Sequence, residues 1–256
     1  MNKTHNPFSL EGKNILITGA SSGIGKQCAI RCSESGANII LVARDQARLE
    51  NTRQQLTEGN HSAFSIDITN YSALESMVAE GVGKTGKIHG FIHAAGLEAT
   101  LPLKNTSNDL YTKIFSVNVF AGFELAKLLS LKKYLSEEGA SFVFISSVMG
   151  MVGEPGKVAY CSSKGALIAG IRSMAVELVS RKIRVNAISP SMVETEMAEQ
   201  LFNSIPEESK NEIIKAHPLG LGKPDDISWA SVYLLSEAAR WVTGSNLVID
   251  GGYTAK

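Results

Sequence analysis

A tyrosine and a lysine stand four residues apart in the stretch AYCSSKGAL, residues 159–167, as Tyr160 and Lys164. Side chains at this spacing share one face of a helix and can interact. A phenol has an ordinary pKa of about 10, and a neighbouring ammonium group favours its ionised form. The two residues could therefore form one acid–base group, although the same spacing also occurs on solvated helix surfaces.

A glycine-rich stretch, TGASSGIG, occupies residues 18–25 and places glycines at positions 19, 23 and 25. It follows a predicted strand and opens a predicted helix. Glycines at such a junction let backbone N–H groups approach a phosphate, and the helix N-terminus adds favourable partial charge. The context favours a dinucleotide site over a plain turn, even though the spacing is G-x-x-x-G-x-G.

The end of the second predicted strand distinguishes between the two nicotinamide dinucleotides. An NAD site places an acidic residue there to bind the ribose hydroxyls, whereas this chain has Ala43 followed by Arg44. A guanidinium group matches the charge and geometry of a 2′-phosphate. Asp45 could instead pair with Arg44 at the surface. The sequence favours NADP(H) over NAD(H).

Apolar, β-branched runs alternate with helical segments along most of the chain, which predicts a Rossmann-type doubly wound α/β fold. We expect seven parallel strands, helices on both faces, and one domain over residues 1–256. The predicted strands are Asn14–Thr18, Asn38–Ala43, Ala63–Ile66, Ile88–His93, Ser141–Ser146, Arg184–Ser189 and Asn246–Ile249. The predicted helices include Gly25–Ser35, Ala47–Thr57, Ala73–Val82, Leu110–Tyr134, Val158–Arg181 and one that begins at Asp225.

One stretch departs from this alternation. Residues 194–217 are polar; Pro206 interrupts this stretch and Pro218 directly follows it. Long loops in compact α/β domains are usually functional or disordered. We expect a mobile excursion here that forms a substrate lid over about residues 191–217.

Composition and charge exclude several classes of protein. The 256 residues carry 25 basic and 25 acidic side chains, which removes any whole-chain case for a nucleic acid or an anionic membrane as partner. No apolar run reaches the ~18 residues of a membrane span, and MNKTHNPFSL has no apolar core of a signal peptide. The three cysteines, an odd number, suggest a reducing compartment, by default the cytoplasm.

Two of those cysteines, Cys28 and Cys32, lie one helical turn apart, a spacing that a metal could use. No nearby histidine or carboxylate completes a ligand set. We therefore interpret both as small buried hydrophobic residues and predict no metal site.

From residue 12 to residue 252 the chain resembles the short-chain dehydrogenase/reductase family in its single-domain form, and is most similar to its 3-oxoacyl-carrier-protein reductases. The motifs that carry the resemblance are TGASSGIG at 18–25, DI at 67–68, HAAG at 93–96, FSVNVF around Asn118, ISSVMG around Ser147, YCSSK at 160–164, ISPSMVET at 188–195 and the closing VTGSNLVIDGGY. Several ordered motifs together are far more specific than any one of them.

The resemblance implies a role for each matching residue. The implied catalytic residues are Asn118, Ser147, Tyr160 and Lys164. Ser147 would bond the substrate carbonyl, Tyr160 would transfer the proton, and Lys164 would hold the nicotinamide ribose. Asn118 would fix a water that links Lys164 to solvent. Ser147 is preferred over Ser146 because it lies 13 residues before Tyr160, the usual spacing in the family.

The resemblance also implies the cofactor contacts. Asp67 would bond the adenine amino group, while Thr195 and the backbone of Val193 would hold the carboxamide. The full implied set is Gly19, Ser21, Ser22, Gly23, Ile24, Gly25, Arg44, Asp67, Ile68, Ala94, Ala95, Gly96, Asn118, Tyr160, Lys164, Pro190, Val193 and Thr195.

The chain departs from the family pattern in two places. The usual Asn-Asn-Ala-Gly is His93-Ala94-Ala95-Gly96, which loses both amides. His93 could replace one amide through its imidazole, or it could be a hydrogen-bonded core histidine, which we prefer because it ends an apolar strand. Pro190 is followed by Ser191 and not by glycine, a change that could slightly reshape the nicotinamide pocket.

These features predict an NADP(H)-dependent reductase that converts a ketone, such as a 3-oxoacyl thioester, into a secondary alcohol. The alternatives are an NAD-linked alcohol dehydrogenase of the same family and a non-catalytic NADPH-binding module. The resemblance implies a homotetramer or homodimer with helices 110–134 and 158–181 in its interface. Four basic residues could attract an acidic carrier protein or could be an ordinary solvated face: Lys132, Lys133, Arg181 and Lys182.

Overall fold

The computed structural model describes residues 6–255. Met1–His5 and Lys256 lie outside the described residues, and the prediction of no signal peptide falls partly on Met1–His5. Within residues 6–255 seven parallel strands form one sheet in the order β3-β2-β1-β4-β5-β6-β7. The strands are β1 (Asn14–Thr18), β2 (Asn38–Ala43), β3 (Ser62–Ser65), β4 (Gly90–His93), β5 (Ala140–Ile145), β6 (Ile183–Pro190) and β7 (Asn246–Ile249). This order and the single domain confirm the predicted doubly wound fold.

The α-helices of the described residues connect these strands. They are α1 (Gly23–Glu34), α2 (Gln46–Arg53), α3 (Tyr71–Thr85), α4 (Asn108–Phe115), α5 (Ala121–Leu129), α6 (Val158–Leu178), α7 (Glu196–Ser204), α8 (Glu207–Lys215) and α9 (Pro224–Leu235). Within residues 6–255, no helix combines the length and the apolar character that crossing a membrane requires.

Two hydrophobic layers hold the helices to the sheet. Alternate residues of a strand face opposite layers, so Leu16 packs under α3, α5 and α6, while Ile15 and Ile17 pack under α1, α2 and α9. Cys28 and Cys32 are fully buried in the second layer, and the Cys28 thiol donates to Ser231 Oγ at 3.4 Å. Their interpretation as small core residues is confirmed.

The order of the strands creates a crevice at the carboxyl edge of the sheet. β1 pairs with β2 on one side and with β4 on the other, and the chain crosses to opposite sides of β1 after β3. In open parallel sheets ligands bind outside the carboxyl ends of the strands at such a switch point. The loops that carry the predicted site all leave from this edge.

The helix predicted over Leu110–Tyr134 is wrong in two respects. Between α4 and α5 the structure has a π-helical turn, Ser116–Phe120, and α5 ends at Leu129. π-helical turns interrupt helices at functional positions more often than elsewhere, and this one contains Asn118. Hydrophobic periodicity continues through a single turn of this kind, so it does not show in the sequence.

The excursion predicted over residues 194–217 contains two helices, α7 and α8, and not an irregular loop. The Thr195 hydroxyl accepts a hydrogen bond from the Ala198 N–H at 3.3 Å and caps α7. Pro206 lies between the helices, where it ends one and precedes the next. Acidic first turns complement the helix dipoles, which explains why so polar a segment is helical.

Candidate active site

The glycine-rich turn between β1 and α1 is built without room for side chains. A Cβ atom on Gly19, whose φ is +68°, would lie 2.8 Å from Ala95 N. A Cβ on Gly25 would overlap the carbonyl oxygen of Gly19. The Ser22 side chain does not cap α1, so the first N–H groups of this helix face the cleft. This arrangement fits the pyrophosphate of a dinucleotide.

A cleft of about 780 Å³ opens above the turn, a size typical of cofactor sites. Most of the residues predicted to contact the cofactor line it. They are Gly19, Ser21, Ser22, Gly23, Ile24, Gly25, Arg44, Asp67, Ile68, Ala94, Ala95, Gly96 and Thr195. The remaining five, which belong to the predicted nicotinamide end, do not line this cleft: Asn118, Tyr160, Lys164, Pro190 and Val193.

The cleft also contains charged residues that sequence reasoning missed, chiefly Arg48 on α2 and Lys113 on α4. Arg48 forms an ion pair with Glu196, the first residue of α7, and so links the two sides of the cleft. Arg48 lies in the first turn of the helix that follows the second strand, close in sequence to Arg44, and this position could have indicated it. Nothing in the sequence indicates that Glu196 lies opposite.

Arg44 lies exposed at the adenosine end of the cleft. Asp45, the alternative surface partner considered for it, instead caps α2 by accepting a hydrogen bond from the Arg48 N–H at 3.0 Å. Hydrogen bonds from the backbone and hydroxyl of Thr69 lower the pKa of Asp67, and the charge of Arg44 contributes. Asp67 is therefore ionised, with one carboxylate oxygen held by Thr69.

Tyr160 and Lys164 lie together on one face of α6, as their spacing predicts. The Lys164 ammonium is buried, 5.6 Å from the centroid of the Tyr160 ring, and donates to the Ile145 carbonyl at 2.8 Å. The Tyr160 hydroxyl shares a hydrogen bond with Ser147, whose oxygen lies 3.4 Å from the Pro190 carbonyl. The helix α6 and the turn after β5 thus bring the predicted catalytic hydroxyls and the ammonium together.

The pKa values at this point reflect burial above all. Burial raises the pKa of Tyr160 to about 12, against the lowering effect of its hydrogen bond with Ser147. Burial also lowers the pKa of Lys164 to about 8. The expectation that Lys164 lowers the pKa of Tyr160 is not confirmed, because Lys164 is not among the causes of the Tyr160 shift. Its ammonium donates to the Ile145 carbonyl instead, and burial makes it lose its proton more easily.

Ser146 and Ser147 have different partners. Ser146 Oγ donates to the Lys164 carbonyl at 2.9 Å and thereby holds α6 against β5. Ser147 Oγ accepts from the Met149 N–H at 3.1 Å and bonds Tyr160. The structure therefore leaves Ser147, and not Ser146, beside the phenol.

The Asn118 side chain is completely buried and fixes the loop that follows β4. Its Oδ1 accepts from the Leu97 N–H at 2.7 Å, and its Nδ2 donates to the Leu97 carbonyl at 2.9 Å and to Ser163 Oγ at 3.0 Å. A Cβ on Gly96 would lie 3.5 Å from both Asn118 Oδ1 and Lys164 Nζ. The two atoms therefore lie within about 7 Å of each other, twice this distance, and the water that the resemblance implies between them stays a prediction.

His93 is a hydrogen-bonded core histidine, as preferred from the sequence. Its Nε2 lies 3.2 Å from the carbonyls of Val117 and Asn118, and its Nδ1 lies 2.9 Å from Thr18 Oγ1. Carbonyls only accept, so Nε2 carries the proton and Thr18 donates to Nδ1. Burial lowers the pKa of His93 to about 4, so the imidazole is neutral and ties β1 and β4 to the π-helical turn.

At the other end of the predicted nicotinamide pocket, Thr195 contacts both the glycine turn and Val193. Its Oγ1 lies 3.2 Å from the Val193 carbonyl, and a Cβ on Gly23 would lie 3.3 Å from its methyl group. Ser191, which replaces the usual glycine, is bonded to His217 Nε2 at 2.7 Å. Within residues 6–255 no group of three His, Cys, Asp or Glu side chains could hold a metal ion.

Comparisons with known proteins agree with this geometry. A family model described as enoyl-(acyl carrier protein) reductase matches residues 19–254. The 3-oxoacyl-(acyl-carrier-protein) reductase FabG of Thermotoga maritima is 31% identical, over 95% of this chain and 98% of the relative. The NAD-dependent glycerol dehydrogenase of Listeria innocua is 30% identical, over 97% and 96%.

Solved structures show the same architecture. A 7α-hydroxysteroid dehydrogenase in complex with NADH and 7-oxo glycochenodeoxycholic acid has a TM-score of 0.90 at 29% identity, over 97% of this chain and 98% of that one. The likeness in sequence and in fold extends over nearly the whole length of these relatives. The chain therefore belongs to the short-chain dehydrogenase/reductase family, whose members are oxidoreductases that use a nicotinamide dinucleotide.

Proposed function

We propose that this protein reduces a ketone to a secondary alcohol with NADP(H), and that Tyr160 donates the proton. The single observation that carries the proposal is the convergence of the Tyr160 and Ser147 hydroxyls with the buried ammonium of Lys164 beside the dinucleotide cleft. A bound NADPH supplies the hydride.

The chain's own residues supply the remaining requirements of the reaction. The hydroxyls of Ser147 and Tyr160 lie side by side, and each can turn its one proton toward the carbonyl oxygen of a bound substrate. Tyr160, with a pKa of about 12, stays protonated near neutral pH and is suited to donate when the oxygen becomes an alkoxide. Lys164, whose ammonium lies 5.6 Å from the centroid of the Tyr160 ring, is the residue proposed to bind the ribose and to assist the return of the proton.

NADP(H) is favoured over NAD(H) by the cations at the adenosine end. Arg44 lies exposed in the cleft, and Asp45, which could have paired with it, caps α2 instead. The NAD-dependent relative keeps the alternative of an NAD-linked alcohol dehydrogenase open. A third possibility, a non-catalytic NADPH-binding module, is disfavoured because all four predicted catalytic side chains are present and close together.

We propose that α7 and α8 form the substrate lid, since the α7 end of the segment borders the cleft and Arg48 already holds Glu196 across it. Delivery by a carrier protein gains little support from the four basic residues considered. Lys133 pairs with Glu75, and Arg181 donates to the Ser130 carbonyl at 2.9 Å. A 3-oxoacyl thioester remains one candidate among related carbonyl compounds.

A homotetramer, or a homodimer, is the proposed assembly, with the α4–α5 segment and α6 in the interface. Phe120 and Val176 are exposed apolar residues of these elements, and exposed Val179 directly follows α6. Cytoplasm is the proposed location, in line with three free thiols.

The experiment is to mix the purified protein with NADPH or NADH and a panel of carbonyl compounds that includes a 3-oxoacyl thioester. Loss of reduced-nicotinamide absorbance together with formation of the alcohol would support the proposal. Tight NADPH binding with no turnover across the panel would favour the non-catalytic module.

Arg44→Ala tests the choice of cofactor. Loss of a charged hydrogen bond costs about 1.5–3 kcal/mol, so we expect NADPH affinity to fall roughly 10- to 100-fold. NADH affinity should change much less, because NADH has no 2′-phosphate. Titration of both cofactors against both proteins measures this, and equal NADPH affinity in wild type and variant would refute the role of Arg44.

A further inference from the structure

Two charged side chains flank Tyr160 that no step of the proposed reaction uses, Glu98 and Lys157. Glu98 directly follows Leu97, whose backbone is bonded on both sides by Asn118. Lys157 precedes Tyr160 by three residues, at the start of α6. Their side chains are only 20% and 12% exposed, so both charges lie largely within the fold.

The known contacts of Glu98 involve only one of its carboxylate oxygens. Oε1 accepts from Thr100 Oγ1 at 2.7 Å and lies 3.6 Å from Lys157 Nζ. Among residues 6–255, Oε2 accepts no hydrogen bond. The Glu98 side chain is partly exposed, so Oε2 is open to solvent, and a carboxylate oxygen can only accept. Glu98 Oε2 therefore has the capacity to receive a donor from outside the chain.

Lys157 is shared with a second carboxylate and does not neutralise both. Its Nζ lies 3.2 Å from Glu154 Oε2, closer than to Glu98. Glu154 Oε1 in turn accepts from the Tyr253 hydroxyl at 3.0 Å. Two carboxylates and one ammonium leave this rim with a net negative charge, which disfavours an anionic substrate.

Glu98 is also within electrostatic reach of the phenol. Its negative charge raises the pKa of Tyr160, which adds to the effect of burial. Glu154 is not among the causes of that shift, although it contacts the same lysine. Of the two carboxylates, Glu98 is the one whose charge acts on the Tyr160 hydroxyl, and its neighbour Leu97 is bonded to Asn118.

We propose that Glu98 determines specificity by accepting a hydrogen bond from a hydroxyl group of the substrate. The preferred substrate is then an uncharged ketone with a hydroxyl on a carbon close to the carbonyl, and not a long apolar acyl chain. This inference rests on the proposed function and narrows its substrate class. A site with a polar group to satisfy rejects an analogue that lacks the matching hydroxyl more strongly than an apolar pocket rejects a change in size.

The test compares matched ketones that differ by one hydroxyl, with the intact enzyme and the reduced cofactor that it uses. Acetoin and its isomer with a terminal hydroxyl are each compared with butanone, and the ratio of their kcat/KM values is the readout. In wild type we expect a ratio of at least about 10 for one of the hydroxyketones, the value of one charged hydrogen bond. In Glu98→Leu we expect that ratio to fall at least about tenfold.

Glu154→Gln is the matched control. It removes the other carboxylate that contacts Lys157, and it should leave the ratio within about twofold of wild type, since rim charges contribute little. A purely structural role for Glu98 would lower kcat/KM for both ketones alike and leave the ratio unchanged. If Glu98→Leu does not fold, Glu98→Gln replaces it, with an expected fall of at least about threefold.

Three results would overturn the inference. Equal kcat/KM for butanone and both hydroxyketones in wild type would contradict it while leaving the proposed reduction intact. A ratio unchanged by substitution of Glu98, or one lowered as much by Glu154→Gln, would also contradict it. Failure to oxidise either cofactor with any ketone would overturn this inference and the proposed function together.

Discussion

At the scale of the residue, burial controls the pKa values of the candidate catalytic residues Tyr160 and Lys164. The spacing of Tyr160 and Lys164 correctly indicates a shared helix face. Their pKa values depend on burial, which spacing does not reveal, and burial raises that of Tyr160 and lowers that of Lys164. The sequence does not indicate Glu98 as a site residue, because no motif contains it and its partner Lys157 is distant in sequence.

Lys164→Met should make the protein more stable and inactive. Burial lowers the pKa of Lys164 from 10.5 to about 8, so holding its charge in the fold costs roughly 3 kcal/mol below pH 8. The lost hydrogen bond to Ile145 offsets about 1 kcal/mol of this, leaving a net gain of about 2 kcal/mol at neutral pH. Turnover and cofactor affinity should both fall.

The stability gain has a defined pH window. Between pH 8 and 10.5 the unfolded wild type binds more protons at Lys164 than the folded one, so wild-type stability rises with pH and the advantage of the variant disappears. Urea unfolding at neutral pH and near pH 10.5 measures this, with exposed Lys132→Met as control. Retention of both turnover and cofactor affinity would contradict the assigned role.

At the scale of the element, close packing of α5 on the sheet positions the π-helical turn. Gly122 lies against the imidazole of His93, which is bonded to the carbonyls of Val117 and Asn118. The sequence predicts a helix here but not the turn within it, because the hydrogen bonds that favour the turn come from a strand about 25 residues earlier.

Gly122→Ala should disturb this packing. The added Cβ would lie 2.6 Å from His93 Cδ2, a contact that requires movement of the helix or of the ring. We expect the free energy of unfolding to fall by about 1–3 kcal/mol and turnover to fall with it, as Asn118 shifts. Thermal unfolding and steady-state kinetics measure the two effects.

Gly83→Ala is the control in another helix. A Cβ on Gly83 in α3 meets nothing within 4 Å, so the substitution should stabilise the protein by up to about 1 kcal/mol. If both variants change the free energy of unfolding by the same amount in the same direction, the close contact between Gly122 and His93 does not contribute to stability.

At the scale of the whole molecule, alternating apolar strands and amphipathic helices were enough to predict the sheet and its two helical layers. Strand ends shifted by a residue or two, as β3 and β4 show. The helices α7 and α8 were missed because each has only nine residues, both are mostly polar, and Pro206 stands between them. Contacts across the crevice, such as Arg48 with Glu196, require the folded chain.

The acid stability of the molecule should depend on His93. Its folded-state pKa is about 4 against an ordinary 6.5, so the unfolded chain binds more protons between these values and stability falls as pH falls through that range. The loss amounts to about 3 kcal/mol by pH 4. In His93→Asn this contribution should be absent, and unfolding curves of the two proteins that change in parallel between pH 6.5 and 4 would show that His93 is not responsible.

The central claim is ketone reduction with Tyr160 as proton donor, and isotope transfer from deuterated NADPH tests it most directly. Wild type should move deuterium from the nicotinamide to the carbinol carbon of the product, while Tyr160→Phe should bind NADPH and turn over at least about 100-fold more slowly, the effect expected of a lost general acid. A wild type that transfers no deuterium, or a Tyr160→Phe variant that transfers it at nearly the wild-type rate, would contradict the claim.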